Sequence, residues 1–308
     1  MMFNSNSYYT TKSFKSQQEK IMKKVQIKKN QNSKIIQFLN SIDESIRANN
    51  IKDCATYVGI TDIEGIAHIV KSNFCRERLC SICAWRRQAK FVAQMLPIMN
   101  YISRDYKFIF VTLTVKNVRY ETLKQTIDNI LYSYYKLTKR RRFKRAWKGI
   151  CRSLEMTYNS EEHTFHPHLH LLIAVEPSYF KNENYISYEY LKSEWKDCLN
   201  IDYEPIIDIR RVDDEEKENA TVETLKYALK PTQEEEALKA FFYIMKGRRL
   251  VSFTGVFAKT RKLFKYSDFE NQLNDDVKQE NNVKRTYNLY KFDVTGGVYT
   301  FYKTLELD

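Results

Sequence analysis

Histidines are concentrated in one short segment of the chain. Four of the five histidines lie between positions 163 and 170, in the sequence HTFHPHLH. The pattern of residues 164–175 predicts a β-strand, on which His166, His168 and His170 share one face. Neighbours on that face are about 6.6 Å apart, so two imidazoles can converge on one ion while a third remains spare. We expect His168 and His170, which flank the start of the aliphatic run, to be the ligands.

A carboxylate is predicted beside these histidines. Residues 150–158 form a second predicted strand, joined to the first by the polar loop NSEEH as an antiparallel hairpin. In a symmetric hairpin Glu155 lies opposite His168, with Cβ atoms about 5 Å apart. A site of two imidazoles and a carboxylate suits Mg²⁺ or Mn²⁺, which polarises a phosphoryl oxygen. A shift of one residue would turn Glu155 to the other face, and the alternative is a row of solvent-facing histidines.

A tyrosine with a carboxylate and a lysine at helical spacing follows later in the chain. In the helix predicted for residues 219–230, Glu223, Tyr227 and Lys230 share one face. A tyrosine phenolate attacks a phosphodiester when a lysine stabilises its charge and a metal polarises the phosphate. A carboxylate one turn earlier can serve as a general base. An ordinary amphipathic surface helix would show the same pattern.

Four of the six cysteines form a candidate zinc site. Cys75, Cys80 and Cys83 have the spacing C-x₄-C-x₂-C, and Cys54 precedes them by 21 residues. Four thiolates bind Zn²⁺ tetrahedrally. His68 is the alternative to Cys54 as fourth ligand, and reduced core cysteines are the alternative to a metal site.

A basic stretch lies between the candidate sites. No acidic residue occurs between Asp128 and Glu155, and residues 139–148 read KRRRFKRAWK. We expect a track for the DNA backbone, with Phe143 and Trp147 available for base stacking. A solvated charged face is the alternative. The cations of the predicted track are Lys139, Arg140, Arg141, Arg142, Lys144, Arg145 and Lys148.

The composition favours a packed protein with a polyanionic partner. The 308 residues carry Lys+Arg 51 against Asp+Glu 38, a net charge of +13, with only 7 glycines and 5 prolines. Collagen-like and proline-rich disordered chains are excluded, and nucleic acid is the expected partner. The first residues lack an apolar stretch, so we expect a cytoplasmic protein with reduced thiols. Cys151 and Cys198 are predicted core residues.

Further elements are needed to position these residues. Residues 108–115 (FIFVTLTV) predict a strand, and apolar residues at helical spacing predict helices over 84–99 and 123–137. Residues 1–50 predict a polar arm followed by a surface helix with apolar residues from Ile35 to Ile46. These elements indicate an α+β fold with an antiparallel sheet flanked by helices.

The motifs together resemble a known family. FVTLTV, HPHLHLLIAV and ETLKYALK occur in that order after NFCRERLCSICAWRRQAK, and GRRLVSFTGVFAKTRKLF follows. This combination, which runs from about Cys54 to Phe264, resembles the rolling-circle plasmid replication initiators of Gram-positive bacteria, members of the HUH endonuclease superfamily. One departure is that Ser81 and Ile82 stand where CPxC is common.

The resemblance implies roles for the candidate residues. His168 and His170 match the His-hydrophobic-His pair, Glu155 the neighbouring carboxylate and Tyr227 the nicking tyrosine, and Lys230 completes YxxK. Glu223 matches a glutamate that activates water at termination. The implied enzyme is a metal-dependent, origin-nicking endonuclease and strand transferase with a 5′-phosphotyrosyl intermediate. A host helicase and polymerase are expected partners, an oligomer is compatible with the sequence, and no membrane partner is expected.

The resemblance also suggests a division of the chain and leaves alternatives open. The division comprises an arm and helix (1–50), a cysteine-rich zinc module (51–99), an HUH catalytic core (100–231) and a C-terminal accessory segment (232–308). The alternatives are an HUH transposase or relaxase, and a zinc-dependent DNA-binding regulator without catalysis. The tyrosine follows the histidines here, whereas in the conjugative relaxases of the superfamily it precedes them.

Overall fold

The computed structural model describes residues 13–63, 65–224, 234–265 and 286–306. The described helices are α1 (Phe14–Ser41), α2 (Ser45–Asp53), α3 (Ser81–Ile102), α4 (Tyr120–Lys139), α5 (Arg141–Ala146), α6 (Tyr188–Leu199), α7 (Lys217–Thr224), α8 (Glu235–Ile244) and α9 (Gly255–Lys265). The described strands are β1 (Tyr57–Ile63), β2 (Ile66–Ser72), β3 (Lys107–Thr114), β4 (Trp147–Asn159), β5 (Thr164–Val175), β6 (Ile207–Val212), β7 (Val251–Thr254), β8 (Thr286–Asp293) and β9 (Val298–Glu306). None of the described helices is long and apolar enough to cross a membrane.

The chain divides into two compact units. One comprises Met1–Cys83 together with Asn271–Asp308, and the other comprises Ala84–Glu270. Of the segment after residue 232, β7, α8 and α9 lie in the second unit, whereas β8 and β9 lie in the first. The four-part division from the sequence stays a prediction.

The first unit is a four-stranded sheet with two helices. Its strand order is β2-β1-β8-β9, and every neighbouring pair is antiparallel. α1 begins at Phe14, inside the stretch predicted as a polar arm, because Met22 and Val25 extend its buried stripe toward the N-terminus. Ile46 does not continue that stripe, since it lies on α2 and is 79% exposed.

The second unit is built on a five-stranded antiparallel sheet. Its strand order is β6-β3-β5-β4-β7. The predicted hairpin is confirmed as β4 and β5, and the predicted strand 108–115 is confirmed as β3. β5 is the central strand, and its residues from Leu169 to Val175, including His170, are buried. The α+β class predicted from the sequence is therefore confirmed, and the assignment to the HUH fold stays a prediction.

The two faces of this sheet are covered by different helices. One face carries Cys151 and Leu172 and packs against Met95 of α3, Ala220 of α7 and Phe257 of α9. We call it the α3 face. The opposite face carries Arg152, whose guanidinium lies 5.7 Å from the ring of Tyr134 on α4. We call it the α4 face. Because side chains alternate along a strand, Glu155, His168 and His170 all belong to the α3 face.

Candidate functional site

The register of the β4–β5 hairpin brings the predicted carboxylate to the predicted histidine. Glu155 pairs directly with His168, and Ser153 pairs with His170. The symmetric register expected from the sequence is thus confirmed. On the other side of β5, Thr112 of β3 pairs with His170. The central strand therefore holds both histidines between two neighbours that fix their positions.

Glu155, His168 and His170 converge on one point, and we call them the triad. The Nε2 atom of His170 lies 3.0 Å from Oε2 of Glu155, and Nε2 of His168 lies 3.6 Å from the same oxygen. The two Nε2 atoms are 3.1 Å apart. The three residues are only 2%, 8% and 7% exposed, respectively, so little water competes at this point.

Hydrogen bonds at the far side of each ring orient the histidines. His168 Nδ1 lies 3.0 Å from the carbonyl oxygen of His166, which can only accept, so Nδ1 carries the proton. His170 Nδ1 lies 3.2 Å from the hydroxyl of Thr112, which is able to accept a proton from it. The Nε2 atom of each ring therefore faces Glu155, where it can donate a hydrogen bond to the carboxylate or, without its proton, bind a metal ion.

The electrostatics of the triad favour a bound cation. Burial by itself raises the pKa of Glu155, but hydrogen bonds and charge from His168 and His170 outweigh this effect and lower the pKa to about 2. The carboxylate is therefore ionised at neutral pH. The donor atoms lie within 4.8 Å of one another. Two imidazole Nε2 atoms and an ionised carboxylate that converge in a buried place fit a divalent metal ion, which would replace the protons that the rings share with Glu155.

The two remaining histidines of the cluster do not join the triad. The ring of His166 lies 5.1 Å from that of His168, and burial lowers the pKa of His166. His163 lies in the β4–β5 turn with a side chain 71% exposed, where its Nδ1 is 3.0 Å from the hydroxyl of Tyr158.

Glu223 is held by an arginine that the sequence analysis did not single out. Glu223 forms an ion pair with Arg210 of β6. The guanidinium of Arg210 lies 4.6 Å from the ring centre of Phe110, and that ring lies 5.5 Å from the ring of His170. A continuous row of contacts therefore connects Glu223 with the triad across the α3 face.

The other two predicted residues of the tyrosine helix, Tyr227 and Lys230, lie outside the described residues. The described part of α7 reaches Thr224. Tyr227 follows Thr224 by three positions in the sequence, and Glu223 by four.

The four predicted cysteines form one cluster in the first unit. Their sulfur atoms lie within 4.8 Å of one another. The Sγ atom of Cys83 is 3.6 Å from that of Cys54 and 3.7 Å from that of Cys75. These distances exceed a disulfide bond and are close to the separation of about 3.8 Å between thiolates bound tetrahedrally to Zn²⁺. Cys54 rather than His68 is the fourth member of the cluster, because its sulfur lies close to the other three. His68 lies on β2, where it pairs with Thr61 of β1, and is not part of the cluster.

Neighbouring groups support the cysteine cluster. The amide of Asn32, which is 1% exposed, donates to Cys80 Sγ at 3.4 Å and accepts from the backbone N–H of Ser81 at 2.8 Å. Lys29 donates to the Cys54 carbonyl at 2.5 Å. Hydrogen bonds with the other three thiols, together with burial, raise the pKa of the Cys54 thiol. A metal ion is therefore needed to hold all four groups as thiolates.

The two cysteines outside the cluster lie in the core, as predicted. Cys151 and Cys198 are 0% and 1% exposed.

The two aromatic residues of the basic stretch are buried, which differs from the prediction. Phe143 and Trp147 were expected to stack on bases, but this expectation is wrong. They are 0% and 7% exposed, and their rings pack edge to face with centroids 4.8 Å apart. Their apolar surface completes the core where α5 leads into β4, which excludes them from contact with a base.

Some cations of this stretch form ion pairs with carboxylates, and others are exposed without such a pair among the described residues. Arg140 forms ion pairs with Glu194 and Asp197, and Lys148 forms one with Glu176 at 2.8 Å. Within the described ranges, no carboxylate pairs with the exposed Lys139, Arg141, Lys144 and Arg145.

An open pocket of about 560 Å³ lies beside these cations. It is lined by Arg140, Arg141, Arg142, Arg145, Glu183, Asn184, Tyr190 and Glu194. Arg142 donates to the Tyr185 carbonyl at 2.6 Å, and its guanidinium lies 4.3 Å from the ring of Tyr190.

Sequence reasoning missed three supporting residues. The sequence analysis placed Thr112 on the correct strand, β3. The alternation of side chains along this polar-ended strand was the signal that could have identified Thr112 as a residue of the site face. Arg210 and Asn32 carry no comparable signal, because each acts on a residue distant in sequence.

The fold and these clusters define a mixed α+β protein with two candidate metal centres, one of nitrogen and oxygen donors and one of sulfur donors. Comparison with known proteins then gives the family. The family model described as "Replication protein" matches residues 67–300, so the chain belongs to this family. The resemblance to plasmid replication initiators of Gram-positive bacteria is confirmed.

Individual relatives agree with the family assignment. A "Protein rep" of Streptococcus pneumoniae serotype 2 (strain D39 / NCTC 7466) is 34% identical over 219 residues, which is 68% of each chain. A "Protein rep" of Bacillus sp is 34% identical over 254 residues, 73% of this chain and 82% of the relative. One of Lactiplantibacillus plantarum is 30% identical over 263 residues, 79% of this chain and 83% of the relative. No solved structure is significantly similar to this chain.

Proposed function

We propose that this plasmid replication initiator is an endonuclease and strand transferase that nicks one strand of its origin. The observation that carries the proposal is the triad, in which two imidazole Nε2 atoms and the ionised Glu155 meet in a buried place. Such a site supports chemistry on a phosphodiester. Family membership supports origin DNA as the substrate.

Glu155, His168 and His170 are the proposed ligands of Mg²⁺ or Mn²⁺. When bound, the ion supplies polarisation of the scissile phosphate and offsets the charge that develops on its oxygens. The protein keeps this place dry and orients both rings through Thr112 and the His166 carbonyl.

Tyr227 is the proposed nucleophile. Its hydroxyl oxygen attacks the scissile phosphorus and loses its proton to water, while the bond from phosphorus to the 3′ oxygen breaks. The 3′ oxygen takes a proton and becomes a free 3′-OH, and the 5′ phosphate remains attached to Tyr227. Lys230, three residues on, stabilises the phenolate charge. The 3′-OH then serves as primer for a host polymerase, with a host helicase opening the duplex.

Glu223 is proposed to end the cycle. Its carboxylate accepts a proton from the water that attacks the phosphorus of the regenerated origin site, which breaks the bond to the 3′ oxygen and leaves a 5′ phosphate. The new 3′-OH then attacks the phosphotyrosyl phosphorus and closes the circle, and the phenolate oxygen of Tyr227 takes up the proton that the 3′-OH loses. Its ion pair with Arg210, at the end of the contacts that lead to His170, supports a place for this carboxylate beside the reacting phosphate.

The basic track and the cysteine cluster complete the proposal. Binding of the DNA backbone is assigned to the cations of residues 139–148, with Lys139, Arg141, Lys144 and Arg145 as the exposed members. Cys54, Cys75, Cys80 and Cys83 are the proposed ligands of a structural Zn²⁺, whose tetrahedral sulfur separation agrees with the observed distances.

A denaturing gel tests the proposal. End-labelled single-stranded origin DNA is incubated with Mn²⁺ and the full chain, and the covalent protein–DNA adduct is measured. We expect the wild type to form it and Tyr227→Phe to form none. Glu223→Ala should nick and form the adduct, and should then keep it when a second origin strand is added, because water no longer cleaves that regenerated site. An undiminished adduct in Tyr227→Phe would remove this tyrosine from the mechanism.

A further inference from the structure

Two tyrosines stand out on the outer side of α4. Tyr132 and Tyr135 are 61% and 56% exposed. The helix buries its opposite side, with Leu123, Ile127, Ile130, Ser133 and Leu137 in the core. Packing inside the unit therefore does not account for two large aromatic side chains in water.

Each of these rings has a lysine above it. Lys136 Nζ lies 5.2 Å from the centroid of the Tyr132 ring, and Lys139 Nζ lies 5.1 Å from that of the Tyr135 ring. Side chains three or four positions apart on a helix have Cβ atoms about 5–6 Å apart. The four residues thus form one short row in which each tyrosine ring has a lysine beside it, and we call it the tyrosine row.

The stretch of sequence that carries the row is basic, which favours an anionic partner. No acidic residue follows Asp128 in the sequence until Glu155, and Asp128 forms an ion pair with Arg248. In the sequence, Lys139 is followed by the exposed Arg141, Lys144 and Arg145.

The position of the row separates it from the triad. Tyr134, between the two exposed tyrosines, contacts Arg152 on the α4 face of the sheet. The triad belongs to the α3 face. A ligand on the outer side of α4 is therefore separated from the triad by the helix and the sheet.

We propose that the tyrosine row binds single-stranded DNA at a place distinct from the nick site. Exposed aromatic rings stack on bases, and neighbouring ammonium groups bind the phosphates between them. A duplex hides the faces of its bases, so it would use the lysines and not the rings. The choice of DNA as the polyanion rests on the proposed function. The stacking role expected of Phe143 and Trp147 thus belongs to Tyr132 and Tyr135.

Fluorescence anisotropy tests this surface without any cleavage step. The full chain with Tyr227→Phe, free of added Mg²⁺ or Mn²⁺, is titrated into labelled (dT)₂₀ and into a labelled 20-base-pair duplex. Adding Tyr132→Ala and Tyr135→Ala should weaken binding of (dT)₂₀ by about 30-fold, the loss expected for two stacked bases. Binding of the duplex should change less than about twofold. Tyr243→Ala, which removes a tyrosine 52% exposed on α8, is the matched control and should bind both as before.

A second variant tests the cationic half of the row. Lys136→Gln with Lys139→Gln should reduce the slope of log K against log salt for (dT)₂₀ by about 1.4, because each phosphate contact on a single strand contributes about 0.7. Unchanged affinity of the tyrosine variant for (dT)₂₀, or an equal loss for the duplex, would overturn the proposal. Since binding is measured without the reaction, failure of the nicking mechanism would leave these results intact.

Discussion

Arg210 holds Glu223 in an ion pair on the α3 face of the sheet, next to the ring that contacts His170. The side chains are 48% and 30% exposed, so the pair contributes under about 1 kcal/mol to stability. The ion pair therefore matters for the position of Glu223 and not for stability. A carboxylate that acts on water must point at the reacting phosphate, and Arg210 restricts where Glu223 points.

We predict that Arg210→Gln separates nicking from termination. Adduct formation should stay within about threefold of the wild type, while release of the adduct after addition of a second origin strand slows by about tenfold or more, since Glu223 loses its anchor. A time course of adduct decay measures this. Arg210→Lys should restore part of the rate. Arg211→Gln, which removes a neighbouring ion pair with Asp213, is the control and should decay normally. Normal decay in Arg210→Gln would contradict the positioning role.

We predict that Glu155→Gln abolishes metal binding at the triad. The amide keeps the shape of the side chain and removes its charge, so Mn²⁺ affinity should fall by more than about tenfold. Mn²⁺ raises the melting temperature of a protein that binds it only when folded, and this increase should disappear in the variant. Glu161→Gln, in the exposed β4–β5 turn, should keep the wild-type increase. An equal increase in Glu155→Gln would refute the ligand assignment.

We predict that Thr112 orients His170. Thr112→Val keeps the volume and removes the hydroxyl 3.2 Å from His170 Nδ1. Loss of such a partner typically reduces metal affinity by about 10–100-fold. Isothermal titration with Mn²⁺ measures the change, and Thr112→Ser should retain the affinity. The role is excluded if the valine and serine variants bind Mn²⁺ equally well.

We predict one Zn²⁺ per chain at the cysteine cluster. Metal analysis of the purified protein measures it, and Cys198→Ala should keep the metal because Cys198 lies in the other unit. Asn32→Leu removes the N–H donor to Cys80 Sγ and should weaken zinc about tenfold in competition with a chromophoric chelator. Asn30→Leu, at an exposed position of the same helix, should leave the affinity unchanged. Protein that is fully folded and free of zinc would contradict this assignment.

The sequence was sufficient for the triad because strand alternation and hairpin symmetry are local rules. Once the turn after Asn159 is located, the pairing of Glu155 with His168 follows from counting. The cysteine cluster could also be predicted from the sequence, because the spacing of its cysteines is typical of zinc ligands. The choice of Cys54 over His68 required the structure, in which His68 lies on β2 and pairs with Thr61.

Other features depend on contacts between distant segments. Phe143 and Trp147 have the composition of a DNA-stacking motif, but their burial is decided by the packing of α5 against β4 and α6. The early start of α1 likewise follows from partners that bury Met22 and Val25. Propensity alone cannot distinguish an exposed aromatic residue such as Tyr132 from a buried one such as Phe143.

The most direct measurement is the identity of the residue that carries the DNA. Adduct formed with Mn²⁺ on single-stranded origin DNA is digested, and the peptide bearing the nucleotide remnant is identified by mass spectrometry among the 22 tyrosines of the chain. The account predicts a remnant on Tyr227 alone in the wild type and none in His170→Ala. A remnant on another residue, or an adduct that forms equally without His170, would contradict it.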